Sequence, residues 1–376
     1  MNHRRFAIRE KGSFRVKTAG AARKKRTNSA QKIGHMQRDI DLIEIGPREG
    51  LQYHKKYVPA AKKIALVNTL FDCGFRKVEV TSFVHPKAAP QMKDAVDVLT
   101  GVRNTMGREG QNRVCQVLVP NETGCRDAIA CKADEIAVWI FLTDRLSYPT
   151  LNRSIAEQLK RISTICEIAK ENAVKVNAYI GAAFGYPGED PSHYENLCAM
   201  VAKLVQLGCD RVCLNDELAM ANPVTVRQHL RVCMAEVEAW RLAVHFYDNR
   251  GMALANTAVA YESGIRVFKS SLGGAGVHSY FRTVIHEKSL GSSEPHGLPT
   301  EDLVYAFEEM GISTGIDIDR LIQCGRFLER LMGIRLYSRI RSSGLSGETL
   351  KEAKINSTHY DYQSPGARLS SAGLRI

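Results

Sequence analysis

From about residue 39 onward, short runs rich in valine, isoleucine and leucine alternate with longer segments whose apolar residues recur every three or four positions. The short runs read as strands ending near Ile45, Val80, Val119, Phe141, Ala182, Leu214, Phe246 and Ser270. The longer segments predict helices over about 60–73, 91–100, 123–131, 154–171, 192–207, 223–238 and 251–263, with another at 300–310. Eight strands, each followed by a helix over roughly 270 residues, form the rhythm of an α/β fold of the (β/α)8 TIM-barrel kind. A doubly wound open sheet would more often carry a glycine-rich nucleotide turn after its first strand, and Gly46-Pro47-Arg48-Glu49-Gly50 is not one.

In such a barrel the residues at strand C-termini face the mouth, where barrel enzymes keep their chemistry. The first strand then delivers Arg48 and Glu49 in a loop flanked by glycines, and the second Glu79, Thr81 and Ser82. Strand five delivers Tyr179, strand six Asn215 and Asp216, strand seven His245, Tyr247 and Asp248, and strand eight Ser270 and Ser271. The strand interiors read as apolar. So many ionisable groups at strand ends are expensive to bury unless they face a wet cavity, a ligand or a metal. The period of two puts His245 and Tyr247 on one face, a geometry suited to paired metal ligands. The glycine-rich run Ser271 to His278 suits either a lid over the mouth or a plain surface turn.

Composition narrows the alternatives. The net charge of +12 is concentrated at the N-terminus, where Arg4, Arg5, Arg9, Lys11, Arg15, Lys17, Arg23, Lys24, Lys25, Arg26, Lys32 and Arg38 face only Glu10. The body is close to neutral, so a nucleic-acid role is not expected of it. The leader is compatible with an organelle transit peptide, a nucleic-acid arm or a solubilising tail, which leaves a cytoplasmic location or, if it is a transit peptide, an organelle matrix. No run approaches the roughly 18 consecutive apolar residues of a membrane span. The ten cysteines form no CxxC pair and read as reduced, mostly buried thiols. The expected organisation is a basic, disordered leader over 1–38, a barrel domain over 39–335 and a short tail over 336–376.

Five stretches then carry a resemblance. They are Gly46-Pro47-Arg48-Glu49-Gly50-Leu51-Gln52, Val78-Glu79-Val80-Thr81-Ser82-Phe83-Val84-His85-Pro86-Lys87, Pro90-Gln91-Met92, Gly251-Met252-Ala253-Leu254-Ala255-Asn256-Thr257, and Thr300-Glu301-Asp302-Leu303-Val304-Tyr305. Through them the chain, from about 39 to about 335, resembles the hydroxymethylglutaryl-CoA lyase family, within the metal-dependent barrel enzymes that include isopropylmalate and homocitrate synthases. The resemblance implies a retro-Claisen cleavage in which a divalent cation, Mg2+ or Mn2+, chelates the substrate's tertiary hydroxyl and a neighbouring oxygen. An arginine stabilises the enolate, and a loop cysteine moves a proton.

Carried over position by position, Arg48 stands at the enolate-stabilising arginine, Glu79 at the carboxylate that braces it, and Asp216 at the acid ending strand six. Glu49 stands where the family has its metal-binding aspartate. His245 keeps the first histidine of the ligand pair, and Tyr247 stands in place of the second. His278 occupies the position of the loop cysteine. Gly297 falls at the position of the last ligand, an asparagine, for which His286 or His296 are alternatives. Gln52, Ser82 and Tyr179 are the candidate substrate contacts. The resemblance implies a carbon–carbon lyase acting on a 3-hydroxy-acyl-CoA or related hydroxy acid, with a small-molecule CoA thioester as partner and a homodimer as assembly. A condensing synthase, or a decayed barrel that only binds, are the competing readings.

Overall fold

A computed structural model describes residues 38–106, 112–186, 193–276 and 297–345. Eight parallel strands close into a barrel in chain order, with β1 (Asp41–Glu44) paired to β8 (Val267–Ser270). Between them lie β2 (Lys77–Ser82), β3 (Val114–Leu118), β4 (Glu135–Phe141), β5 (Lys175–Gly181), β6 (Arg211–Asp216) and β7 (Leu242–Phe246). The helices are α1 (Gly46–Gln52), α2 (Ala60–Asp72), α3 (Ala95–Thr105), α4 (Glu122–Ala130), α5 (Asp144–Leu151), α6 (Ile155–Glu171), α7 (His193–Gln206), α8 (Pro223–Glu236), α9 (Ala253–Glu262), α10 (Thr300–Glu309), α11 (Ile318–Met332) and α12 (Arg339–Ser343). Among the described residues no helix is long and apolar enough to cross a membrane. All ten cysteines are free thiols, and eight are buried.

The strands bury both faces, as parallel strands covered by helices must. One parity, including Val78, Val117, Ile136, Val138, Ile180, Leu214 and Phe246, packs outward in the layer beneath the helices. The other fills the lumen with Ile43, Ile45, Ala137, Trp139, Phe141, Tyr179, Cys213, Ala243 and Val267. Contrary to the expectation of apolar strand interiors, the strands also bury Glu79, Gln116, Glu135, Asn177 and Lys269. Glu79, Gln116, Glu135 and Asn177 find hydrogen-bond partners across strands, which makes their burial tolerable, whereas the Lys269 ammonium finds none among the described residues.

Two elements differ locally from the sequence reading. Arg48 and Glu49 lie in a helix, not a loop: Pro47 occupies the first turn, where its missing N–H leaves nothing unsatisfied, and all seven residues of α1 are buried. Gly46 is required there because an added Cβ would stand 2.6 Å from Glu44 Oε1. The helix expected over 91–100 begins later, at Ala95, after a short 3-10 turn over Pro90–Met92. The packing also continues past residue 335. Leu336 joins the core, and Ser338 Oγ donates to Asp302 Oδ1 at 2.8 Å.

Glu44 ties the ends of the barrel seam together. Its Oε1 accepts from the N–H groups of Gly46 (2.7 Å) and Leu272 (2.8 Å), and its Oε2 lies 2.6 Å from the Thr300 hydroxyl. Burial pushes this carboxyl up to about 8, with Thr300 opposing the shift. A raised folded value means that the group's contribution is complete below the unfolded value of ~4.3 and is lost progressively as pH rises through about 8. Glutamine can accept from both backbone N–H groups while donating to Thr300. Thermal melts are expected to show Glu44→Gln matching the unsubstituted protein near pH 4 and exceeding it increasingly as pH rises toward about 8. Glu44→Ala should lose about 2 kcal/mol near pH 4, because two buried donors are left unpaired, and this deficit should shrink as pH rises.

Candidate active site

Arg48 projects from α1 at the mouth end of β1 and is held between two buried carboxylates. Its Nε donates to Glu79 Oε1 from β2, and its Nη2 to Glu49 Oε2 at 3.3 Å. Nη1 makes no hydrogen bond among the described residues. Burial alone would lower the guanidinium's pKa, but Glu79 and then Glu49 raise it, so the charge is permanent. Burial would raise the Glu79 carboxyl, yet Arg48 and then Lys269 hold it below its ordinary value.

Glu79 is the hub of a polar chain that descends through the lumen. It accepts from the Tyr179 hydroxyl and, at 2.6 Å, from Gln116 Nε2. Gln116 Oε1 accepts in turn from Asn177 Nδ2 at 3.1 Å, and the same amide nitrogen donates to Glu135 Oε2 at 2.7 Å. Lys77 Nζ closes the chain on Glu135 at 2.6 and 2.7 Å. Each amide therefore has its donor end directed by a carboxylate, and the orientation of the whole chain is fixed.

Lys269 is the residue that sequence reasoning missed. It sits on β8 in register with His245 of β7 and Ile43 of β1, is 3% exposed, and places Nζ 3.2 Å from the centre of the Tyr179 ring. Its ammonium has no hydrogen-bond partner among the described residues. Burial pushes its pKa down to about 8, against the attraction of Cys213 and Glu79. The available signal was parity: counting back by two from Ser271 gives Lys269.

Glu49 lies beside Arg48, and the Tyr247 hydroxyl donates to its Oε1. Burial pushes its carboxyl up to about 7, with Arg48 opposing. The His245 ring centre is 4.9 Å from that of Tyr247. The three residues expected to hold a metal are thus neighbours, but their chemistry does not suit a divalent ion. One Glu49 oxygen already accepts the hydrogen bond of the Tyr247 hydroxyl and the other faces Arg48, and a neutral phenol is a poor ligand. Among the described residues no three His, Cys, Asp or Glu side chains converge as a cation site. No chemical step is therefore assigned to a metal.

The remaining candidates divide between the mouth and its supports. Ser82 Oγ, Gln52 Oε1 and Asn215 Oδ1 are buried without a hydrogen-bond partner among the described residues, as polar atoms awaiting a ligand would be. Gln52 Nε2 donates to the Tyr53 hydroxyl at 2.8 Å. Tyr179 faces Glu79 and Lys269 inside the lumen. Asp216 lies in register with Phe246, on the outward parity, and its Oδ1 accepts from the N–H groups of Met220 (2.8 Å) and Ala221 (3.0 Å). Glu217, unremarked in the sequence, accepts from Ala182 N–H at 2.9 Å. These two carboxylates brace loops in which Ala182 and Ala219 take the left-handed backbone conformation. The first part of the glycine-rich run is neither lid nor surface turn. Leu272–Gly274 is a buried 3-10 turn, with Gly273 at φ +61° against Leu336. His278, His286 and His296 lie outside the described residues.

The chain as a whole is similar to known proteins. The family model described as HMGL-like matches residues 39–328. A mitochondrial hydroxymethylglutaryl-CoA lyase of Mus musculus is 33% identical over 315 residues, covering 84% of this chain and 92% of that protein. The mitochondrial enzyme of Arabidopsis thaliana is 35% identical over 294 residues, covering 78% and 60%. Among solved structures, the HMG-CoA lyase of Bacillus subtilis superposes with a TM-score of 0.74 at 31% identity, covering 82% of this chain and 98% of that one. An HMG-CoA lyase of Acinetobacter baumannii, solved with coenzyme A and 3-methylmalate, gives a TM-score of 0.74 at 30% identity, covering 82% and 95%.

Proposed function

The chain belongs to the HMGL-like family, and from that premise we propose that it is a carbon–carbon lyase that cleaves a 3-hydroxy-acyl-CoA or closely related hydroxy acid. The observation that carries this reading is Arg48 held at the barrel mouth between Glu79 and Glu49. A guanidinium fixed in advance in a dry site stabilises negative charge that appears only as the bond breaks. The coenzyme A in the A. baumannii structure supports a CoA thioester as the substrate class. The mitochondrial relatives and the arginine-rich leader support an organelle matrix over the cytoplasm.

In the proposed reaction the thioester lies with its carbonyl oxygen toward Arg48 Nη1. The substrate's tertiary hydroxyl gives its proton to the Glu49 carboxylate, beside the Tyr247 hydroxyl. The alkoxide collapses to a carbonyl as the adjacent C–C bond breaks, and the electron pair passes to the thioester's α-carbon as an enolate whose oxygen faces Arg48. Protonation at that carbon completes the acyl-CoA product. His278 is the sequence's candidate for this last proton.

The test is incubation of the protein with 3-hydroxy-3-methylglutaryl-CoA and a panel of related 3-hydroxy-acyl-CoA thioesters, with Mg2+ or Mn2+ and separately with EDTA. Release of an acyl-CoA product in at least one case, persisting in EDTA, is the expected result. No cleavage of any member under either condition would remove the lyase reading. Cleavage abolished by EDTA would show that a metal site is completed by groups outside the described residues.

A further inference from the structure

Among the described residues the lumen of the barrel holds three cations, Arg48, Lys77 and Lys269; Lys77 is paired with Glu135, and the reaction proposed above uses only Arg48. Arg48 is bound on two sides by carboxylates, whereas Lys269 has no hydrogen-bond acceptor among the described residues. A buried ammonium in that condition is several kcal/mol poorer than one in water unless something compensates. Part of the compensation comes from the Tyr179 ring face, 3.2 Å from Nζ. Another part comes from the attraction of Glu79, which accepts from the hydroxyl of the same tyrosine. Neither satisfies the three N–H donors. The side chain lies on the lumen parity, in the same layer as His245 and Asn215, and Asn215 Oδ1 is also without a partner among the described residues.

We propose that Lys269 is a substrate-binding cation whose ammonium receives the oxygen on the hydroxyl-bearing carbon, at the place in the reaction that a divalent ion fills in metal-dependent lyases. The proposal rests on the lyase reading above. It assigns the two ends of the scissile bond to two fixed cations: Lys269 holds the alkoxide oxygen before cleavage, and Arg48 holds the enolate oxygen after it. The hydroxyl proton goes to Glu49, no redox partner is needed, and Lys269 keeps its own protons throughout. The competing explanation is that Lys269 merely balances the charge of Glu79 and Glu49.

Oxalate separates these explanations without requiring turnover, because it is a planar dianion that offers one carboxylate to each cation. Calorimetric titration in EDTA is expected to show oxalate binding to the unsubstituted protein. In Lys269→Met the affinity should fall about ten- to a hundredfold, the effect of one charge-assisted hydrogen bond. The same variant should melt at a higher temperature, because an unpaired buried charge has been replaced by an apolar chain of similar length. Lys269→Ala provides a second arm: millimolar ethylammonium should restore its oxalate binding by refilling the vacated volume with a cation. Unchanged oxalate affinity in Lys269→Met, or no oxalate binding by the unsubstituted protein, would overturn the proposal. The two readings fail separately. Oxalate binding that depends on Lys269 in a protein that cleaves no thioester would sink the lyase reading and keep the cation site. Cleavage with full activity in Lys269→Met would do the reverse.

Discussion

Arg48→Ala is expected to lower kcat and kcat/KM together by on the order of a thousandfold on whichever thioester the protein cleaves, while KM moves little. The reasoning follows from where the guanidinium is held. Two of its nitrogens are committed to Glu79 and Glu49, so its position is set before substrate arrives. The ground-state carbonyl carries little charge, and the interaction becomes strong only as the enolate forms. A group of that kind shows up in kcat more than in KM. Arg48→Lys tests the geometry separately from the charge. An ammonium cannot meet both carboxylates in the planar fork and still face the mouth, so the lysine variant should recover only a small part of the loss. Single-turnover measurements on both variants check this. A lysine variant within a few-fold of the unsubstituted rate would show that any cation suffices and that the clamp is structural.

Much of this frame is legible in the chain. The eightfold beat of strand and helix survives intact because each strand is a short β-branched run bounded by turn residues, and each barrel helix presents an apolar stripe. Helix α11 was not among the predicted helices, although Leu321, Cys324, Leu328 and Met332 recur at helical spacing before the left-handed Gly333. Helix α5 was harder, because Pro149 lies inside it. Arg48, His245 and Tyr247 lie next to the strand ends that the pattern makes visible, whereas Glu79 and Tyr179 lie inside β2 and β5 and face the lumen.

What the chain concealed is the lumen. Gln116 and Asn177 each sit alone in an apolar run, where a single polar residue carries no signal of its own, while Glu135 follows Asp134 and Lys269 precedes Ser270 and Ser271, where each reads as part of a polar strand end. Their meaning comes from register between strands distant in sequence: Gln116 bonds Asn177 across |i−j| = 61, and Asn177 bonds Glu135 across 42. Asp216 illustrates a different limit. Its motif position marks it, but strand parity turns its side chain outward, where its carboxylate braces the loop at Met220 and Ala221.

The buried chain of amides also makes Glu79 the position where substitution should be most damaging to the fold. Glu79→Ala leaves Arg48 without its principal partner and removes the nearest carboxylate acting on Lys269, and breaking a buried pair in this way typically destabilises by about 3–5 kcal/mol. Glu79→Gln should be nearly as damaging, although its shape is conserved. The new amide has one acceptor where the carboxylate had two, and its N–H groups would meet the donor end of Gln116. Gln116 cannot turn over to relieve this, because its carbonyl end already accepts from Asn177, which Glu135 and Lys77 hold in place. Chemical denaturation should therefore show the two variants within about 1 kcal/mol of each other, far below the unsubstituted protein. The pH dependence has the opposite sign to that at Glu44. A lowered folded value means that Glu79 contributes fully above the unfolded value of ~4.3 and loses that contribution as pH falls through its folded value, so Glu79→Gln should flatten the acid side of the stability profile. Combining Glu79→Gln with Gln116→Glu restores an acceptor opposite each amide donor. That double variant should regain part of the stability but little of the turnover, because the carboxylate no longer meets Arg48. Stability equal to the sum of the two single losses would show that the chain does not act as a unit.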